Sequence, residues 1–164
     1  MVTTKERKSL IIILGFIGIF LFIPCAQAQQ PIDIIACTSG TVTAIEASEE
    51  STLMSLEFRG ISIDNLASKI FDSMTSHGAA LFAITGGKMT GYFYAKYMDP
   101  SGDFFVVEGP QVGLEYNWKF LCGKGKWKGI TGGGKAVIFT KGKPISPGTS
   151  QGCMKITGTY ELPK

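Results

Sequence analysis

Histidine is nearly missing from this chain: among 164 residues only His77 carries an imidazole. Zinc sites draw on clustered cysteine and histidine, and none of the four cysteines forms a CxxC pair, so no metal is expected. The same shortage removes the partner that a nucleophilic triad needs, since no acid accompanies His77 at a telling spacing. Charge of one sign is also scarce. The formal net charge is +3, far from the dense basic patch that phosphate-backbone binding requires, and nucleic acid is excluded as a partner. Repeats of fixed period and low-complexity tracts are absent. So is an uninterrupted apolar run of the about 20 residues that a membrane-spanning helix needs.

What the N-terminus holds instead is a three-part export signal. Lys5, Arg7 and Lys8 form a basic start, Leu10 to Ile23 an apolar stretch ended by Pro24, and Ala26-Gln27-Ala28 a small-x-small cleavage site. We expect residues 1–28 to be removed, the mature chain to begin at Gln29 in a secreted or periplasmic setting, and no stable membrane insertion to remain. Pro24 stands where lipid attachment at Cys25 would need a small residue, so Cys25 leaves with the signal. Cleavage takes three basic residues and one acidic one with it, so the formal charge falls from +3 to +1 over the remaining 136 residues. That length suits one domain, 29–164, with one core.

Three cysteines survive export: Cys37, Cys122 and Cys153. An oxidising compartment favours one disulfide and one leftover thiol. Sequence leaves the three pairings open, and we expect Cys122–Cys153.

The mature chain reads as β-structure throughout. Ile34 to Ala47 and Thr52 to Ile63 are rich in Thr, Val, Ile and Leu, and the alternation of Met54, Leu56 and Phe58 with Ser55, Glu57 and Arg59 marks a half-buried strand. Asp64 to His77 is ambiguous. Leu66, Ile70, Phe71 and Met74 recur at helical spacing behind Asp64 and Asn65, so a short helix and an irregular crossover both fit. Ala79 to Thr85, the Gly86-Gly87 turn and Lys88 to Met98 form a hairpin. Tyr92 and Tyr94 share one face of its second strand with Lys96, and Phe93, Ala95 and Tyr97 share the other. Asp99-Pro100-Ser101-Gly102 carries turn chemistry, and strands follow at Asp103 to Glu108, Tyr116 to Cys122, Lys135 to Thr140 and Cys153 to Leu162. About eight antiparallel strands predict an all-β closed barrel. Lys119, Lys124, Lys126, Lys128 and Lys135, interleaved with Trp118 and Trp127, read as a solvated turn and strand edge.

Four segments carry a resemblance: Asp99-Pro-Ser-Gly-Asp103, the Trp118-Lys-Phe-Leu strand, Gly123-Lys-Gly-Lys-Trp-Lys-Gly-Ile-Thr-Gly132, and the terminal Thr157-Gly-Thr-Tyr-Glu-Leu-Pro163. Over roughly residues 34–163 the chain resembles small secreted bacterial proteins of the allene oxide cyclase-like barrel group, related in architecture to plant dirigent proteins. The resemblance implies an eight-stranded antiparallel barrel with an apolar interior, and its bacterial members are largely of unknown function. Many members have Gly-Thr-Gly where this chain has Gly123-Lys124-Gly125. The cyclase's catalytic residues match no positions here, so none is carried over.

Three catalytic signatures fail on context. Gly148-Thr-Ser-Gln-Gly152 matches GxSxG, but a nucleophile elbow needs a strand before it, a helix after it and a later histidine. Gly129 to Lys135 resembles a phosphate loop, with Ala136 where Ser or Thr must bind magnesium. Asp99 and Asp103 have oxygen-ligand character, yet the glycine and glutamate of a calcium loop are misplaced or missing. No catalytic residue and no cofactor is expected.

The remaining candidates are Tyr92, Tyr94, Phe105, Trp118, Phe120 and Glu108, taken as the lining of a ligand cavity, since a small barrel either fills its interior or keeps room for one small molecule. Three functions follow. The chain binds a small apolar or aromatic ligand; or it is a cofactor-free isomerase or cyclase that works by substrate positioning; or it is an oligomeric surface protein. An acid with a raised pKa, Glu57 or Glu108, would favour the second, and an exposed apolar outer face the third.

Overall fold

The computed structural model describes residues 28–48 and 50–163. The expected leader therefore lies, except for Ala28, outside the described residues. Eight strands follow one another: β1 (Gln30–Ala47), β2 (Ser51–Asp64), β3 (Thr75–Thr85), β4 (Lys88–Met98), β5 (Phe104–Val112), β6 (Glu115–Lys124), β7 (Thr131–Lys141) and β8 (Thr149–Glu161). Each pairs antiparallel with its chain neighbour, and β1 pairs with β8, so the sheet closes into a barrel in sequence order. The expected all-β barrel is thus the observed fold. A single 3₁₀ turn at Gly125–Trp127 is its only helical element among the described residues.

Strand parity decides what points inward. On β4, Phe93, Ala95 and Tyr97 are buried, while Tyr92, Tyr94 and Lys96 are exposed. On β3, Ser76, Gly78, Ala80 and Phe82 are buried in the same alternation. The β3–β4 hairpin turns on Gly86 and Gly87, both at positive φ (56° and 74°), as a two-residue hairpin turn demands.

The ambiguous segment after β2 resolves as an irregular crossover. Asp64 is fully buried and spends its carboxylate on the backbone, accepting from Leu66 N at 2.8 Å and Phe71 N at 3.0 Å. Lys69 and Ser73 both take positive φ (51° and 55°), which breaks any helix there. The crossover delivers Phe71 and Met74 beneath the barrel, exposed by 2% and 0%, and β3 starts at Thr75, four residues before the expected Ala79.

One end of the barrel is closed by this crossover and by the β6–β7 connection. Phe71 stacks on Trp127 at 5.3 Å and meets Tyr160 edge-on at 5.1 Å. Phe105 meets Trp127 edge-on at 5.2 Å. Trp127 is 1% exposed: the neighbouring lysines face water, as expected, and the indole between them does not. Its Nε1 donates to Asp99 Oδ2 at 3.1 Å. Asp99 also accepts from Ser101 N and Oγ, at 2.8 and 2.6 Å, and pairs with Lys126 Nζ at 2.7 Å. Burial alone would raise this carboxyl, but the Lys126 ammonium and the Ser101 and Trp127 donors outweigh it and hold it well below the usual range.

The disulfide joins Cys37 to Cys153 and leaves Cys122 as an exposed free thiol. This corrects the expected Cys122–Cys153 pair. Cys37 and Cys153 are direct partners in the β1–β8 ladder, with Cα atoms 4.0 Å apart. Cys122 is opposite Val106 on β5, one strand beyond β7 and too far from Cys153 for a bridge, which requires Cα atoms within about 7 Å.

Candidate functional site

Inward parity on all eight strands brings apolar side chains around one space of about 100 Å³. A single water needs roughly 10–15 Å³ of such space, so the cavity has room for several waters or a small organic group. Its aromatic wall is Phe93 and Tyr97 of β4, Phe105 of β5, and Tyr116, Trp118 and Phe120 of β6, faced by Ile34, Phe58, Phe82, Ala136 and Ile156. The rings interlock edge to face, Phe93 with Tyr116 at 5.3 Å, Phe105 with Phe120 at 5.1 Å and Trp118 with Phe120 at 5.2 Å. Such geometry fixes the wall before any ligand arrives. Phe71 forms the floor. Apart from the Tyr97 and Tyr116 hydroxyls and the Trp118 indole, the polar lining lies at the opposite end of the barrel, at Thr38, Lys141, Ser150 and Gln151, beside Gly152.

Two hydroxyls belong to the wall. Burial pushes Tyr97 up to about 12, helped by the nearby Tyr116. Burial likewise pushes Tyr116 to about 12, with the Gln111 side chain pulling the other way. Both stay neutral at physiological pH and can give or take a hydrogen bond, but neither is a strong acid or base. No Asp or Glu lines the cavity among the described residues. The chemistry this space supports is burial, shape and orientation.

Of the six candidate residues, Phe105, Trp118 and Phe120 lie in this lining. Tyr92 and Tyr94 do not: they stand on the outer wall, 40% and 50% exposed, with ring centroids 5.4 Å apart. Aromatic residues occupy both faces of β4, and parity shows which residues share a face without saying which face is inside. Phe93 and Tyr97, from the other face, take their place. Glu108 is also on the outer wall, opposite Tyr94 on β4 and Lys119 on β6, with Lys119 Nζ at 3.3 Å. Burial raises its carboxyl, and Lys119 with the Tyr92 and Tyr94 hydroxyls more than reverses this, leaving it below the ordinary range. The raised pKa that acid catalysis would want is therefore not found there. His77 is on the outside too, its Nε2 2.9 Å from Glu57 Oε1, which also accepts from Arg59 Nη2 at 3.0 Å. The GxSxG segment runs into strand β8, not a helix, the wrong setting for a nucleophile elbow.

Fold and site together define an eight-stranded antiparallel barrel holding an aromatic-walled cavity closed at one end. It shares that fold with dirigent proteins. The pterocarpan synthase dirigent protein GePTS1 is similar with a TM-score of 0.52 at 9% identity, over 84% of this chain and 93% of that one. For the pterocarpan synthase dirigent protein PsPTS1 the TM-score is 0.48 at 8% identity, over 82% and 97%. No protein-family model matches the sequence, and no curated protein sequence matches it.

Proposed function

We propose that this chain is an exported barrel protein that binds one small apolar or aromatic molecule in its interior. The observation that carries the reading is the one-ended cavity: six aromatic side chains from three adjacent strands wall a space that the Phe71 floor closes below. Pockets of this kind, apolar with a few placed polar groups, are the usual form of small-molecule sites. Export is supported by the three-part N-terminal pattern and by the Cys37–Cys153 bond, because disulfides persist chiefly in oxidising compartments.

A second reading, a cofactor-free cyclase or isomerase acting by positioning, is favoured by the name of the similar structure, a synthase. The cavity wall supplies it with two neutral phenols and shape alone. A third, assembly of copies through the outer wall, draws on the exposed Leu81 and Tyr92, which are direct partners on β3 and β4.

Native mass spectrometry of the mature protein, isolated from its own secretion medium or periplasm, tests the first reading. An excess mass that disappears on denaturation is expected. A mass at a clean multiple of the chain, with no excess, would count against a tight-binding carrier and favour assembly or a transient substrate.

A further inference from the structure

The polar residues at the open end occupy one sector of the rim. Gly152 of β8 is the direct partner of Lys141 on β7 and of Thr38 on β1. The three form one rung, and all three line the cavity together with Ser150, two residues along β8. Neighbouring strands lie about 4.8 Å apart, so the backbones of Lys141 and Thr38 stand roughly 9.5 Å apart, with a residue lacking a side chain between them. The Lys141 side chain passes beside Gly152, its Cγ 3.8 Å from where a Cβ would sit. A Cβ there would meet Thr140 O at 2.8 Å, so the site resists being filled by mutation.

Lys141 is the one charged residue among the described residues that line the cavity. The ion pairs of the described residues engage Arg59, His77, Lys119, Lys126 and Lys155 and leave Lys141 out. Lys141 is exposed at the cavity mouth and without an ion-pair partner among the described residues, so its ammonium can meet an anion there, and charge-assisted hydrogen bonds are the strong ones. The Cys37–Cys153 bond lies one residue from the Thr38–Gly152 pair on the same two strands, and so fixes the spacing of this rim.

We propose that the cavity selects a monocarboxylate: a single ring or short apolar chain seated against the aromatic wall, with its carboxylate over Gly152 between Lys141 and the hydroxyls of Thr38 and Ser150. One ammonium matches one negative charge, and about 100 Å³ limits the body to a small group. This rests on reading the interior as a binding cavity and names the chemistry it recognises.

The test compares two probes with the same body, 3-phenylpropionate and 3-phenylpropan-1-ol, by calorimetry and ligand-observed NMR on the mature protein. The carboxylate is expected to bind about fivefold or more tightly than the alcohol, the worth of one charge-assisted hydrogen bond. That ratio is expected to weaken as ionic strength rises, to fall below about twofold in Lys141→Gln, and to survive in Lys141→Arg. Equal binding of both probes by the unaltered protein, or a ratio unchanged in Lys141→Gln, overturns carboxylate selection and leaves the cavity reading standing. If neither probe binds, both are overturned.

Discussion

At its closed end the barrel is packed, and at its open end it is stapled. Below, Phe71, Phe105, Trp127 and Tyr160 interlock, and the Trp127 indole donates to a buried carboxylate, Asp99, that also accepts from the Ser101 hydroxyl and backbone N–H. Above, comparable inward positions hold Thr38, Gly152 and Ser150, and the nearest strong constraint is the covalent bond between Cys37 and Cys153. A barrel that must keep an interior space cannot draw all its stability from filling that space. Confining the tight packing to one end leaves an interior space toward the other, with a covalent link in place of packing.

The comparison breaks most readily at the plug. Trp127→Ala removes a side chain 1% exposed and two aromatic neighbours' contacts, and is expected to cost about 4 kcal/mol, measured by denaturant unfolding. A loss under about 1 kcal/mol would mean that the closed end is not where stability resides. Next comes the staple. Replacing Cys37 and Cys153 together by serine opens a crosslink spanning 116 residues of chain, and about 3 kcal/mol should be lost. Reduction of the unaltered protein should match it, while Cys122→Ser should leave unfolding unchanged.

Asp99→Asn is expected to cost about 2 kcal/mol and also to change the pH dependence. The Asp99 carboxyl titrates lower in the folded chain than its ordinary value, which is about 3.9 when unfolded. Its contribution is therefore fully present above that value and is lost as pH falls toward the folded one. The unaltered protein should lose stability below about pH 4 more steeply than Asp99→Asn, as read from unfolding curves taken through the acid range. Parallel curves would remove Asp99 from the account of the plug.

Much of this division was legible in the chain and some was not, for identifiable reasons. Period-two alternation marked β2 and β4 as strands, and Asp99-Pro-Ser-Gly marked its turn, because both signals are local. The inward face of β4 was not legible, since Tyr92 and Tyr94 are as apolar in composition as Phe93 and Tyr97. The disulfide was hidden because it depends on barrel closure: Cys37 meets Cys153 only once β8 returns to β1. Trp127 was concealed by its setting, a glycine and lysine run whose charges face water while its ring turns under the barrel. Asp99, 28 residues earlier, supplies its partner, and no local pattern announces such a pair.

The smallest expected effect is the most discriminating. Ala136 is 3% exposed, lines the cavity, and stands between Tyr116 and Ile156 in the ladder. In a close-packed interior, enlarging such a residue forces neighbours off their rotamers and costs about 1–3 kcal/mol. Against an open space the added methyl groups of Ala136→Ile have somewhere to go, and each gains contact with the aromatic wall. The unfolding free energy should then change by less than about 1 kcal/mol, while any excess mass bound to the native protein should be lost. Stability kept and occupancy lost would mark the open end as a space held vacant for a ligand. A destabilisation as large as a packed core gives would mean that the two ends are filled alike, and that the contrast between them is only one of which residues do the filling.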